Sequence, residues 1–118
     1  MYGLPAHFDS SLLVGRNLEM ICFSSNQVYL HFDGQVTIKI EGEFSYLSDR
    51  ANVDQNRIRM PIAESKLMQL LEHLISGATG DENGTLTLVF DNGHILKCFE
   101  APDYESYEIK HGNMRLIV

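Results

Sequence analysis

The residues best suited to binding chemistry lie close together near the C-terminus of the chain. Carboxylates and tyrosines alternate there, and no Lys or Arg occurs between positions 99 and 108. Tyrosine offers a large contact area at a small loss of conformational entropy, and carboxylates pair with the Arg or Lys of a basic partner. The alternative is a solvated edge strand, in which Tyr107 and Ile109 point into the core and the charges discourage edge-to-edge association. The candidate partner-binding residues are Glu100, Asp103, Tyr104, Glu105, Tyr107 and Glu108.

No arrangement of residues predicts catalysis or a metal site. His94, Cys98 and Glu100 lie on one face of a predicted strand, where they could in principle act as a nucleophile and its base. Side chains two positions apart on a strand lie about 7 Å from one another, which is beyond the direct hydrogen bond that a nucleophile and its base require. We therefore predict a noncatalytic protein with no cofactor and no metal. The histidines lack the spacing that places several ligands on one ion, being His7, His31, His73, His94 and His111.

Composition and charge limit the class of partner. The chain has 118 residues, of which 44% are hydrophobic and 21% charged, as expected for one folded domain over residues 1–118. The net charge is −7, from 16 acidic and 9 basic residues. This balance predicts against nucleic acid, whose phosphates need clustered Lys and Arg. It favours either a basic protein partner or a surface that is acidic for solubility alone.

Neither a leader nor a membrane segment is expected, so we predict a cytoplasmic protein. Residues 1–10 contain no basic region followed by an apolar stretch, and no apolar run approaches the roughly 18 residues that span a bilayer. Cys22 and Cys98 are isolated and lie in strand-like segments, where a free cysteine usually behaves as a small apolar residue.

The first half of the chain, residues 11–47, predicts a β-hairpin unit. Apolar residues alternate with polar ones from position 28 to 32 and again from 36 to 40, which is the period of a half-buried strand. A two-residue Asp-Gly turn would place Phe32 and Val36 on opposite faces of this hairpin. A three-residue loop with a bulge at Gly34 keeps both on the apolar face.

A single amphipathic helix is predicted over residues 61–77. Pro61 suits the first helical position, and Gly77 suits the end. The leucines between them recur at the three- and four-residue spacing of one buried stripe, continued by Ala78.

The second half, residues 84–118, predicts a second hairpin unit around Asn92-Gly93. A two-residue turn there would place Val89, Leu96 and Cys98 on the face opposite to most of the apolar residues. The hairpin would then be covered on both sides, either within the fold or by a second subunit, and a homodimer through this hairpin is one expectation. The two halves also look alike, as a true internal repeat or as the common recurrence of hairpin signals. The predicted fold class is α+β, a mainly antiparallel sheet from two related hairpin units with one helix packed on it.

The sequence resembles a family of small uncharacterised bacterial proteins. The resemblance rests on the two Phe-Asp-(Asn)-Gly hairpins, on the segment 74–77 and on the Tyr-Glu-Ser-Tyr-Glu-Ile segment 104–109, and it covers roughly residues 12–118. Such proteins are similar to immunity proteins of bacterial toxin systems, which are small, acidic and noncatalytic. The resemblance implies a protein that neutralises a basic toxin, such as a nuclease, by binding it. The alternative is a homo-oligomeric structural or small-ligand-binding module.

Overall fold

The protein is built from two five-stranded antiparallel sheets, as seen in a computed structural model that describes residues 9–47, 57–58, 67–100 and 106–118. The strands in chain order are β1 (Leu18–Phe23), β2 (Val28–Phe32), β3 (Val36–Ile40), β4 (Phe44–Leu47), β5 (Arg57–Ile58), β6 (Ile75–Gly80), β7 (Leu86–Phe90), β8 (Ile95–Cys98), β9 (Tyr107–His111) and β10 (Met114–Ile117). Short 3-10 helices, Ser10–Leu12 and Leu67–Leu70, precede β1 and β6. Within the described ranges, no helix is long and apolar enough to cross a membrane.

The two halves of the chain have the same topology and exchange their last two strands. The first sheet has the order β1-β2-β3-β9-β10, and the second has the order β6-β7-β8-β4-β5 when read from its β6 edge. Each half therefore contributes a three-stranded meander to one sheet and a strand pair to the other. A pseudo-two-fold relation follows, in which β1 to β5 correspond to β6 to β10.

Backbone hydrogen bonds at the start of each half reproduce this relation. The Gly15 amide donates to the Ile75 carbonyl at 2.7 Å, and the Glu72 amide donates to the Leu18 carbonyl at 2.7 Å. Gly15 and Glu72 both have positive φ angles, of 87° and 64°. The chain therefore makes the same tight turn into β1 and into β6. Each turn is hydrogen-bonded to the first residue of the strand that follows the other turn.

The predicted α+β class and the predicted helix over residues 61–77 are wrong. The structure contains no α-helix in the described ranges, and the part of that segment that it describes is a 3-10 helix followed by the strand Ile75–Gly80. Residues 61–66 lie outside the described residues. Leu67 and Leu70 are buried as the stripe predicted, but Glu72 adopts a left-handed φ that ends any helical path, and Leu74 is exposed. Pairing of β6 with β7 outweighs the leucine spacing, because tertiary context overrides local propensity.

The register predicted for the first hairpin is confirmed, and the register predicted for the second is wrong. Phe32 pairs with Val36 across a three-residue loop, as expected. In the second hairpin Val89 pairs with Ile95, and the Phe90 amide donates to the His94 carbonyl at 2.9 Å. The loop 91–93 therefore also has three residues, and Gly93 takes the left-handed position at φ 86°. One additional loop residue turns Leu96 and Cys98 into the core and Ile95 outward.

The inner faces of the two sheets share one hydrophobic core. Phe32 and Phe90, which end β2 and β7, stack with ring centroids 6.5 Å apart. Cys98 of β8 is fully buried in this core, and Cys22 of β1 is half-buried. The two cysteines lie on different sheets and form no disulfide. The largest fully buried side chains are Tyr107, Phe44, Phe90, Leu13, Leu18, Leu30, Ile38, Ile40, Leu67, Leu70, Ile75 and Leu86.

Candidate functional site

The outer face of the first sheet carries an open depression of about 330 Å³. It lies over β2, β3, β9 and β10, and side chains reach it because alternate residues of each strand point away from the core. We call this surface the charged face, and its residues are Tyr29, His31, Thr37, Lys39, Glu108, Lys110 and Arg115.

Cross-strand pairing orders these residues into two rows. The first row runs from His31 through Thr37 and Lys110 to Arg115. The second row runs from Tyr29 through Lys39 to Glu108. Both rows begin with an aromatic residue on β2 and reach a charged residue on β9. The charged face therefore has an aromatic end at β2 and a charged end at β9 and β10.

Glu108 is the centre of an ion-pair network at the charged end. Arg115 donates to it from Nε at 2.8 Å and from Nη2 at 3.3 Å, which is the two-point geometry of an arginine–carboxylate pair. The Lys39 ammonium lies 3.4 Å from Glu108 Oε2 and 2.9 Å from Glu41 Oε1. Glu108 is 7% exposed, and the hydrogen bonds from Arg115 are the main cause that lowers the pKa of its carboxyl. Hydrogen bonding to Glu41 is the main cause that raises the pKa of Lys39.

The aromatic end is a pair of parallel rings. Tyr29 and His31 stack with centroids 6.0 Å apart and an interplanar angle of 5°. The Tyr29 hydroxyl donates to Gln27 Oε1 at 2.9 Å, and His31 Nδ1 lies 3.2 Å from Thr37 Oγ1, so both rings are held in place. Met20 and Cys22 pair with His31 and Tyr29 on β1 and extend this end with apolar surface.

The charged face is locally basic on an acidic protein. Three cations and one carboxylate line it, and Glu41, which pairs with Lys39, brings the local net charge to +1. The rest of the chain, whose total is −7, then carries −8. Lys110 is exposed and makes no ion pair with any residue that the structure describes. An anion that approaches this face therefore meets an uncompensated ammonium.

The pseudo-two-fold relation supplies an internal comparison for the charged face. In the other half, the row Tyr29, Lys39 and Glu108 is replaced by Thr87, Lys97 and Ser45. The row His31, Thr37 and Lys110 is replaced by Val89, Ile95 and Leu47. The same strand arrangement therefore forms with largely neutral side chains, so the fold does not require the aromatic and cationic set.

Of the six residues predicted for a partner-binding surface, the structure describes three, and these three lie in different surroundings. Tyr107 is 1% exposed and donates from its hydroxyl to the Gly84 carbonyl at 2.6 Å, and burial raises its pKa. Glu108 lies inside the charged face. Glu100 is half-buried, and its carboxylate lies against Gly84, in the space that a Cβ there would need. Asp103, Tyr104 and Glu105 lie outside the described residues, so the acidic surface stays a prediction.

The sequence contained a signal for the aromatic half of the charged face. The clean polar side of the first hairpin holds Tyr29, His31, Thr37 and Lys39. Its charged half comes from β9 and β10, which join β3 from the far end of the chain. Nothing in the local pattern indicates that pairing.

The sequence positions considered for a nucleophile set are engaged elsewhere. Burial raises the pKa of the Cys98 thiol to about 12. The ring of His94 makes a short hydrogen bond through Nδ1 with the hydroxyl of Tyr46, and burial raises the pKa of that phenol to about 12. Among the described residues, no group of three His, Cys, Asp or Glu side chains is arranged to hold a metal ion.

The apolar surface that motivated a homodimer is smaller than expected. Leu96 and Cys98 are fully buried in the core. Val89 faces outward beside Ile95, and both are half-buried.

Fold and site together define an antiparallel β domain with one charged sheet face. The chain belongs to a family of unknown function, DUF6188, whose model matches residues 10–118. The expectation of an uncharacterised family is thereby confirmed, and a bacterial origin and an immunity role stay predictions. No curated protein and no solved structure matches the chain.

Proposed function

We propose that this protein is a noncatalytic binding domain that holds an anionic group of its partner on the charged face. The observation that carries the proposal is the uncompensated Lys110 in a depression where three cations surround one carboxylate. In the other half the corresponding positions keep one cation, Lys97, and no aromatic ring. The same strand arrangement forms there, which supports a role of the charged face beyond stability.

The state of the polar groups supports binding over proton transfer. Glu108 is held in its charged form by Arg115 and Lys39, so it is a weak proton acceptor at neutral pH. His31 is fixed through Nδ1 by Thr37. Positioned charges of this kind give an interface its orientation and its association rate.

A charge reversal with a matched control tests the proposal. Lys110→Glu reverses the uncompensated cation, and Lys97→Glu makes the same change of charge on the outer face of the other sheet. Inorganic phosphate should shift the amide NMR signals of β2, β3, β9 and β10 in the wild type and in Lys97→Glu, and should leave them in place in Lys110→Glu. Shifts that are absent, or that spread equally over both sheets, contradict the proposal.

A second candidate is the immunity role that the resemblance implies. The net charge of −8 outside the charged face and Glu41 supports a basic partner, because an acidic surface steers such a protein toward it. The candidate surface is the acidic stretch of residues 100–108, and the partner would be a toxin encoded beside this protein.

This candidate needs a test that spares Glu108, which stabilises the charged face. Asp103→Lys combined with Glu105→Lys should slow association with the neighbouring toxin, whereas Lys110→Glu should not. Equal association rates for the wild type and the double variant would exclude the acidic stretch as the interface.

A further inference from the structure

We propose that the anionic ligand of the charged face is a nucleoside monophosphate, with its base on the Tyr29–His31 rings and its phosphate beside Lys110. This inference rests on the proposed function and specifies the ligand class. Four observations support it: the parallel rings, the order of residues along each row, the net charge of the face and the size of the depression.

The rings offer a stacking surface. Tyr29 and His31 occupy alternate positions of β2 and stand parallel, with an interplanar angle of 5°. Their hydrogen bonds to Gln27 and Thr37 fix them before a ligand arrives, so little side-chain entropy is lost on binding. Every nucleobase has a π face that stacks on an aromatic ring, and apolar Met20 and Cys22 border the same end.

The distance from the rings to the uncompensated cation suits a nucleotide. His31, Thr37 and Lys110 are cross-strand neighbours, so two strand spacings, about 10 Å, separate the ring position from the lysine position. A nucleoside monophosphate places one ribose between its base and its phosphate, which bridges such a span when the lysine side chain leans toward the rings. Thr37 lies between the two ends, where its hydroxyl can meet the sugar or the phosphate.

Charge and size favour a single phosphate. A phosphate monoester carries a charge of about −2 near neutral pH, which already exceeds the +1 of the charged face together with Glu41. Glu108 and Glu41 repel further negative charge. The depression of about 330 Å³ is near the lower end of the range for small-molecule sites, which suits a mononucleotide.

The rest of the surface disfavours a long nucleic acid. A polyanion that extends past the charged face meets the −8 carried by the remainder of the chain. The nucleoside phosphate is therefore inferred to be free, and a terminal nucleotide of a single strand is the other source of the same chemistry.

Calorimetric titration of the full chain separates the contributions of base and phosphate. The probes are adenosine monophosphate, adenosine, inorganic phosphate and a short single-stranded oligoadenylate. Adenosine monophosphate should bind about tenfold more tightly than inorganic phosphate, since stacking of one base supplies roughly that factor. Adenosine alone should bind weakly, and the oligoadenylate no more tightly than the mononucleotide.

Three variants assign each contribution to a residue. Tyr29→Leu should weaken adenosine monophosphate about tenfold and leave inorganic phosphate unchanged. Lys110→Glu should abolish binding of both, and Lys97→Glu should change neither. A thermal unfolding scan of each variant confirms that it is folded.

The outcomes distinguish the inference from the proposed function. Equal affinities for adenosine monophosphate and inorganic phosphate, both lost in Lys110→Glu, would contradict the nucleotide as the ligand. The proposal that the charged face binds an anion would still hold. Absence of binding for every probe would overturn both. An oligoadenylate that binds far more tightly than the mononucleotide would overturn the free ligand in favour of a strand end.

Discussion

Glu108 has different charged neighbours along the chain and in the folded structure. In the sequence it belongs to an acidic run, and in the fold it is enclosed by Arg115 and Lys39 on a basic face. Glu100, eight positions earlier in the same run, lies beside Gly84 instead. Cross-strand neighbours, and not chain neighbours, therefore decide what a charged residue on a sheet does.

Glu108→Gln should destabilise the protein in a manner that depends on pH. The folded state lowers the pKa of this carboxyl, so its stabilisation is complete above the unfolded value and is lost as the pH falls through the folded value. Near pH 7 the variant should lose about 2 kcal/mol, the scale of hydrogen bonds to a charged group. The loss should shrink as the pH falls below 4.5, the ordinary pKa of a glutamic acid.

Urea unfolding at about pH 7 and at about pH 3 measures this difference. Glu82→Gln is the control, because Glu82 is exposed and makes no ion pair within the described residues. A gap of the same size at both pH values would show that Glu108 stabilises the fold by its shape and not by its charge.

At the scale of elements, the sequence predicts the strands well and the connections poorly. The strands of the first hairpin and β7 lie where period-two alternation places them. The prediction of a helix over residues 61–77 was wrong because leucines at helical spacing also fit a 3-10 helix followed by a strand. The internal repeat indicates the correct structure of this segment. Leu70 corresponds to Leu13 of the first half, and both are buried residues that precede the same turn into a strand.

The loop of the second hairpin shows the same limit. Asn-Gly is the strongest signal for a two-residue turn, yet the structure inserts Asp91 as a third loop residue and reverses the faces of β8. Which loop forms is decided by burial of Leu96 and Cys98, and that information lies outside the turn itself.

Gly93→Ala should cost about 1–2 kcal/mol, because a side chain at φ 86° is strained although nothing lies within 4 Å of an added Cβ. Gly77→Ala is the matched control within β6, where φ is ordinary and the nearest atom, Cβ of Val89, is 3.9 Å away. Its effect should stay within about 0.5 kcal/mol or be stabilising. Midpoints of urea unfolding compare the two, and equal midpoints would mean that the loop does not depend on the left-handed glycine.

At the scale of the whole molecule, the overall charge does not describe the charged face, because charge is unevenly distributed over the chain. A chain of −7 predicts a basic partner, which stays a prediction, while the charged face together with Glu41 carries +1. The sequence could not locate this face, since its cations come from three strands, and β3 is separated from β9 and β10 by the whole second sheet in chain order. Total charge describes solubility and long-range steering, and local pairing describes the site.

The exchange of strands between halves also makes folding a property of the whole chain. Each sheet takes three strands from one half and two from the other, so a half alone leaves β3 or β8 with an open edge and the core with one wall missing. Fragments 1–60 and 61–118 should each be unfolded, and mixing them should restore the near-ultraviolet circular dichroism of the intact protein. Unfolding of the intact chain should be a single transition by both fluorescence and circular dichroism. A fragment that folds alone would show that the halves are independent units joined at an interface, and the charged face, which needs β2 and β3 from one half and β9 and β10 from the other, would then be a site between domains.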